Sequence, residues 1–127
     1  MRNLILATIL TGFAATGSIA ADRNAIPNAT PTGPAISCVQ SSSIRETRVH
    51  GDSTIDFVMN GGKVYRNTLP NSCPGLGFNE TILYKTQTNQ LCSVDIITVL
   101  QSPGLMRGAS CGLGKFQPVE LEKKQRR

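Results

Sequence analysis

The stretch of sequence that decides the fold is residues 54–68, which read TIDFVM-NGG-KVYRNT. Before the Asn-Gly-Gly, apolar residues such as Ile55 and Phe57 alternate with polar ones, which is the pattern of a strand with one buried face. Asn and Gly tolerate the positive φ angles of a tight hairpin turn. The stretch therefore predicts a β-hairpin with residues 63–68 as its return strand. A two-residue loop at either position would place Val64 on the face of Phe57.

Further short strands are predicted along the chain. Residues 44–49, 81–86 and 115–119 have extended, β-prone compositions, and residues 91–100 form the most apolar run. The β-branched content of that run favours a buried strand over a helix. No segment shows a capped 3.6-residue apolar period. We therefore predict an all-β, mainly antiparallel fold: a small disulfide-stapled β-barrel or β-sandwich of five to six short strands.

The first 20 residues have the layout of a secretory signal peptide. Arg2 precedes an uncharged apolar run at residues 4–15, and small residues follow up to Ala21, just before Asp22. The run is too short to favour a membrane span, and no cysteine follows it to carry a lipid anchor. We expect cleavage near Ala20 or Ala21 and a periplasmic or secreted protein without a membrane span.

The remainder is expected to hold one domain. Residues 21–37 contain three prolines and little apolar mass, which predicts a flexible Pro-rich spacer. Residues 38–119 form the predicted single β-rich domain, and residues 120–127, which end in KKQRR, a basic disordered tail. Residues 120–127 carry +2 of the net charge of +5, as much as the whole of residues 38–119, and this lack of a strongly basic domain argues against a nucleic-acid partner. We expect a monomer without a cofactor.

The four cysteines are predicted to form two disulfides. Cys38, Cys73, Cys92 and Cys111 are an even number in an exported chain. There is no C-x-x-C motif and the only histidine is His50, so we expect neither redox chemistry nor a metal site. Three pairings are possible. We expect Cys73–Cys92, which would pin a long loop to a later strand, and Cys38–Cys111, which would join the start of the domain to its end.

The candidate binding residues are Tyr65, Arg66, Asn67 and Asp95. Tyr65 and Asn67 would share one face of the return strand, and a tyrosine beside hydrogen-bonding groups can anchor a partner; ordinary packing on the sheet surface is the alternative. Asp95 interrupts the apolar run, so it must face solvent or be paired. Its partner would be Arg66 or Arg107, and the alternative is a ligand-binding or acid–base role.

No constellation of catalytic residues is visible. A general base needs a nucleophile and an orienting group, whereas His50 adjoins Gly51-Asp52 in a predicted turn, where side chains are usually exposed. Ser93 lacks the G-x-S-x-G pattern of a nucleophile elbow, and no carboxylates are spaced for glycoside hydrolysis. We therefore assign no catalytic residue.

Three parts of the chain together resemble a known family. They are VYRNTL at 64–69 followed by CPGL at 73–76, LCSVD at 91–95, and ASCGLG at 109–114 with Phe116 and Pro118. In these segments the chain resembles a family of small exported proteobacterial proteins known as a domain of unknown function. The resemblance spans roughly residues 38–119. It implies an exported, periplasmic protein and carries over no activity.

These observations lead to one functional expectation with two alternatives. Export, four cysteines and the lack of a catalytic constellation predict a non-catalytic binding or envelope-associated domain, with an envelope or secreted protein as its partner. The alternatives are an inhibitor of a secreted hydrolase, because small stapled domains suit rigid recognition, and a small enzyme that uses Asp95.

Overall fold

The computed structural model of the chain describes residues 25–86 and 88–122. The predicted signal peptide at 1–20 and the KKQRR end of the predicted tail lie outside these residues. Within them, no helix is long and apolar enough to cross a bilayer. The described strands and α-helix are β1 (Ala29–Pro31), β2 (Cys38–Gln40), β3 (Ile44–His50), β4 (Thr54–Met59), β5 (Val64–Thr68), α1 (Leu76–Asn79), β6 (Ile82–Tyr84), β7 (Gln90–Cys92), β8 (Ile96–Gln101), β9 (Met106–Gly112) and β10 (Phe116–Leu121). A 3-10 helix, Ser41–Ser43, lies between β2 and β3.

The strands form three antiparallel sheets. Their orders are β1-β10-β5-β4-β3, β6-β8-β9 and β2-β7. The prediction of an all-β, disulfide-stapled fold is confirmed, and over the described residues the sheets do not close into a barrel. The predicted count of five to six strands is wrong. Several of the extra strands are only three residues long, and such short pairings carry too little sequence pattern to be recognised.

The hairpin of β4 and β5 turns through three residues rather than two. The backbone N–H of Met59 donates to the carbonyl of Lys63 at 2.8 Å, and the N–H of Gly62 donates to the carbonyl of Met59 at 3.0 Å. Gly61 and Gly62 both have φ near +90°, a region that side chains with a Cβ rarely occupy. The Asn-Gly-Gly sequence therefore provides the turn, but with one more residue than the sequence pattern suggests.

The extra turn residue reverses the prediction of which β5 side chains point toward the core. Phe57 lies opposite Tyr65, and Val58 lies opposite Val64. Val64 is therefore on the face of Val58, and the prediction that it shares the face of Phe57 is wrong. In a strand, a shift of one residue moves every side chain to the other face.

One main core lies between the sheets. The inner face of the five-stranded sheet contributes Phe57 and Phe116, whose rings meet edge to face with centroids 5.4 Å apart. This is one of the arrangements that aromatic pairs prefer. Ile97 and Val99 of β8 are fully buried against the same cluster. The three sheets are thus held by shared apolar burial. The buried members are Val39, Val49, Ile55, Phe57, Met59, Leu69, Cys73, Leu76, Leu91, Ile97, Val99, Leu113 and Phe116.

The first sheet begins inside the segment that the sequence predicts as a spacer. β1 pairs with β10, with Thr30 opposite Glu120, and Ile36 bridges Phe116. The segment from 21 to 37 therefore contributes an edge strand, where a proline such as Pro31 is tolerated because its outer side needs no hydrogen bond. β10 also continues beyond residue 119 into the predicted tail, as far as Leu121.

The disulfides are Cys38–Cys92 and Cys73–Cys111, so the predicted pairing is wrong. Cys38 and Cys92 lie directly opposite each other in the β2–β7 ribbon, with Cα atoms 4.0 Å apart. The predicted buried strand at 91–100 is in fact two strands joined by a turn at residues 93–95. That turn separates Cys92 from β8 and places it in β7, opposite Cys38. Cys73 therefore bonds to Cys111 of β9 instead of Cys92. The start and end of the domain are joined by β1–β10 pairing instead.

The disulfide pairing has a direct test in peptide mapping of the unreduced protein. We expect linked peptides that contain Cys38 with Cys92 and Cys73 with Cys111. Replacing Cys73 and Cys111 together by Ala should lower the free energy of unfolding by about 2–4 kcal/mol in urea denaturation, because the unfolded chain gains freedom. A Cys73–Cys92 peptide, or a double variant as stable as the parent, would contradict this structure.

Candidate functional site

A cluster of charged side chains lies on the outer face of the five-stranded sheet, opposite the main core. Asp56 of β4 is directly opposite Arg66 of β5, and His50 ends β3 on the other side. Residues directly opposite one another in an antiparallel pair project to the same face. The alternation that sends Ile55 and Phe57 into the core therefore sends Asp56 outward, between a histidine and an arginine.

The carboxylate of Asp56 is completely buried and accepts three hydrogen bonds. Arg66 donates from Nε to Oδ1 at 2.8 Å and from Nη2 to Oδ2 at 3.0 Å. His50 Nε2 lies 3.0 Å from Oδ2. The side chains of Arg66 and His50 are only 16% and 15% exposed. The bidentate arginine contact is the strong geometry for this kind of ion pair.

This cluster holds the sheet together rather than leaving a reactive group free. A buried carboxylate without partners is very unfavourable, so Asp56 requires both neighbours, one from each flanking strand. The guanidinium of Arg66 is used on the carboxylate and is therefore not a free anion site. The cluster thus fixes the register of three adjacent strands through one carboxylate.

The same cluster also lacks the parts of a hydrolytic triad. A histidine oriented by an aspartate becomes a general base when a hydroxyl or thiol lies within hydrogen-bond reach of its other ring nitrogen. Across residues 25–86 and 88–122, His50 makes a side-chain hydrogen bond to Asp56 alone. The arrangement therefore orients an imidazole without supplying a nucleophile.

The sequence reasoning missed Asp56 and misplaced His50. His50 belongs to β3 and is largely buried, so the expectation of an exposed turn residue is wrong. The alternation in residues 54–59 predicts Asp56 to be a polar residue on the exposed face of its strand, whereas the structure buries it. A three-residue loop in the hairpin places Asp56 opposite Arg66, and that opposite-charge pair is the signal in the sequence that would have identified the cluster.

Tyr65 and Asn67 share one face of β5, as predicted, but it is the inner face that also carries Phe57. The predicted two-residue loop would place them on the opposite face, with Tyr65 exposed. Asn67 is fully buried; its Nδ2 donates to the carbonyl of Gly114 and its Oδ1 accepts the N–H of the same residue, both at 2.8 Å. Its side chain therefore joins β5 to the loop before β10. Tyr65 is half-buried against the core, with Lys63 Nζ 4.9 Å from its ring centroid. Tyr65 and Lys63, together with Met59, line a shallow groove of about 300 Å³.

Asp95 closes a turn and pairs with neither predicted arginine. Its Oδ2 accepts the backbone N–H of Cys92 at 2.7 Å, the local bonding that favours aspartate in turns. Arg66 is bonded to Asp56 instead. Arg107 lines the same shallow groove as Asp95, about 390 Å³ in volume, yet the two form no ion pair. Asp95 therefore does not meet Arg66, Tyr65 or Asn67 in one site.

The described residues contain no group of three or more His, Cys, Asp or Glu side chains placed to hold a metal ion. All four cysteines are in disulfides. No protein family, curated protein or solved structure matches the chain. Known proteins therefore supply no function for this chain, and its own sequence and structure must suggest one.

Replacing Asp56 by Asn should strongly destabilise the fold. The neutral side chain of Asn would leave the Arg66 guanidinium without its carboxylate partner. Breaking a buried ion pair in this way lowers the free energy of unfolding by about 3–5 kcal/mol. Urea denaturation measures the loss. Glu46→Gln is the matched control, because Glu46 bonds Arg48 in an exposed pair, for which about 1 kcal/mol or less is expected. Equal, small losses in both variants would contradict the structural role of Asp56.

Replacing Asn67 by Ala should lower the free energy of unfolding by about 1–3 kcal/mol, because the N–H and carbonyl of Gly114 lose their partner. The control is Asn71→Ala, at an exposed loop position, which should change stability little. Thermal and urea unfolding of both variants provide the comparison. An Asn67→Ala protein that unfolds like the Asn71→Ala control would show that the bridge to Gly114 is unimportant.

Proposed function

We propose that the chain is an exported, periplasmic domain that binds a component of the cell envelope and catalyses no reaction. The observation that carries this proposal is the use of the polar side chains. Asp56, Arg66 and Asn67 are bonded within the fold, and Asp95 is bonded within its turn. Residues that look chemically capable in the sequence thus serve the structure.

Three observations support export. The N-terminal sequence has the layout of a signal peptide. All four cysteines are paired, and disulfides persist in oxidising compartments such as the periplasm. The resemblance to exported proteobacterial proteins points the same way.

The two disulfides restrain the domain, which supports a role in binding. One disulfide joins β2 to β7 and the other joins the Cys73 loop to β9. These cross-links limit how far the joined segments can move relative to one another. A preorganised surface loses little freedom on binding, which favours affinity. Inhibition of a secreted hydrolase is one form that such binding can take, with a protein surface as the partner.

Export is tested by expressing the full chain in a Gram-negative host and measuring the intact mass of the protein in the periplasmic fraction. Free thiols are alkylated under denaturing conditions, with and without prior reduction. We expect the mass of a chain whose first residue is Ala21 or Asp22, and we expect the cysteines to be alkylated only after reduction. Full-length protein with labelled thiols in the cytoplasmic fraction would overturn the proposed location.

Binding is tested separately, by cross-linking in intact cells followed by affinity purification of the tagged protein. An unrelated exported domain of similar size serves as the control. We expect an envelope component that is enriched with this chain and absent from the control. A correctly exported protein that cross-links only as the control does would overturn the binding role while leaving export established.

A further inference from the structure

The outer face of the three-stranded sheet, opposite the core, carries apolar side chains around one polar pair, the hydroxyls of Thr98 and Ser110, whose oxygens lie 3.0 Å apart. On β8, Ile97 and Val99 point into the core and are fully buried. Ile96, on the opposite face, is 62% exposed, and Leu100 of that face is half-buried. An antiparallel sheet with one side in water normally carries polar residues on that side. Ile96 and Leu100 depart from that pattern, whereas Thr98 and Ser110 of the same face follow it.

Further exposed apolar residues lie at both ends of the sheet. At one end, Val94 is 86% exposed and lines, with Leu83 and Ile96, the 390 Å³ groove described above. At the other end lie Leu105 and Met106, 62% and 68% exposed. Exposed apolar residues are common singly, whereas extended apolar patches mark binding surfaces.

Phe78 adds an aromatic side chain at the Leu105 end. It is 78% exposed, and the next residue, Asn79, accepts the N–H of Ser102 through Oδ1 at 3.2 Å. This bond ties α1 to the β8–β9 turn. We call Phe78, Leu105 and Met106 the apolar tip. Leu105 has φ of +52°, an unfavourable conformation for leucine, so the turn presents a large apolar side chain where Gly or Asn would fit better.

Two cations flank this surface without an acidic partner. Lys85 and Arg107 line the groove beside Leu83 and Ile96. Neither forms an ion pair within the described parts of the chain. The nearby carboxylate of Asp95 accepts a backbone N–H through Oδ2. The surface is thus apolar with cationic flanks, which is complementary to an apolar layer bordered by anions.

We propose that the outer face of the three-stranded sheet and the apolar tip bind the surface of a bilayer that contains anionic phospholipids. Exposed aliphatic and aromatic side chains insert at the boundary of headgroups and acyl chains, while Lys and Arg interact with anionic headgroups. A lipid surface suits these residues better than an acidic protein segment does. They lie at both ends of the sheet, around Val94 and Ile96 and at the apolar tip, rather than lining one deep pocket.

The inference rests on the proposed envelope location only for its biological setting. Binding to vesicles is measured on purified protein, so it can fail while export is confirmed, or succeed while export is refuted. The protein used is the form that the cell accumulates, with its N-terminus defined by intact mass.

The experiment is sedimentation with vesicles of mixed phosphatidylglycerol and phosphatidylcholine, compared with phosphatidylcholine alone. We expect binding to the anionic vesicles that weakens as salt rises. The double variant Lys85→Glu/Arg107→Glu should lower the partition coefficient at least about tenfold, given the contribution of each cation near a charged bilayer. Val94→Ser/Ile96→Ser and Leu105→Ser/Met106→Ser should each lower it several-fold.

Two controls keep the result interpretable. Ile26→Ser changes an apolar residue of similar exposure, 51%, in the N-terminal segment, and should leave binding unchanged. A variant with Lys123, Lys124, Arg126 and Arg127 replaced by Gln tests whether the basic tail alone causes binding. All variants are checked for unchanged thermal unfolding.

Three results would overturn the proposal. The first is no binding of the parent protein to anionic vesicles at low salt. The second is binding abolished by the tail variant but unaffected by the three surface variants. The third is binding to polyglutamate but not to vesicles, which would assign the surface to an acidic protein partner.

Discussion

The three-residue turn between β4 and β5 is the constraint on which the rest of the structure depends. With Gly61 and Gly62 both in the left-handed region, Met59 faces Lys63, and each residue of β4 acquires its partner on β5. Because side chains alternate, this register sends Phe57 inward and Asp56 outward. The inner set builds the apolar core, and the outer set builds the buried charge cluster. A turn one residue shorter would move every side chain of β5 to the other face of the sheet, so that Val64 rather than Tyr65 would face the core.

Charge burial then makes this register specific. Asp56 accepts from Arg66 of one neighbouring strand and lies 3.0 Å from His50 of the other, so a slip of either strand would leave a carboxylate without partners in a buried position. Asn67 does the same for the loop before β10 through Gly114. Polar groups used in this way are not free for chemistry. For that reason we propose that the binding surface lies elsewhere, on the outer face of β8 and its neighbours.

Local pattern was sufficient for the fold class and insufficient for the site. The alternation around Phe57, the Asn-Gly-Gly turn and the even number of cysteines correctly predicted a stapled all-β domain. They failed where the answer depended on contacts distant in sequence. Cys92 pairs with Cys38 because β2 lies beside β7, which has no local signature, and Asp56 lies opposite Arg66 only in the register that a three-residue loop sets. Asp95 stood out by sequence because it interrupts an apolar run, yet that position is a turn, where an aspartate bonding the N–H of Cys92 is ordinary.

The register of the β4–β5 hairpin can be measured directly by nuclear Overhauser contacts between backbone protons of the two strands in the isotopically labelled protein. The account predicts cross-strand contacts that pair Asp56 with Arg66 and Val58 with Val64, as the structure places them. Contacts that instead pair Phe57 with Val64 would mean a two-residue turn. That result would contradict the account, because it would move Asp56 away from Arg66 and exchange the inner and outer faces of β5.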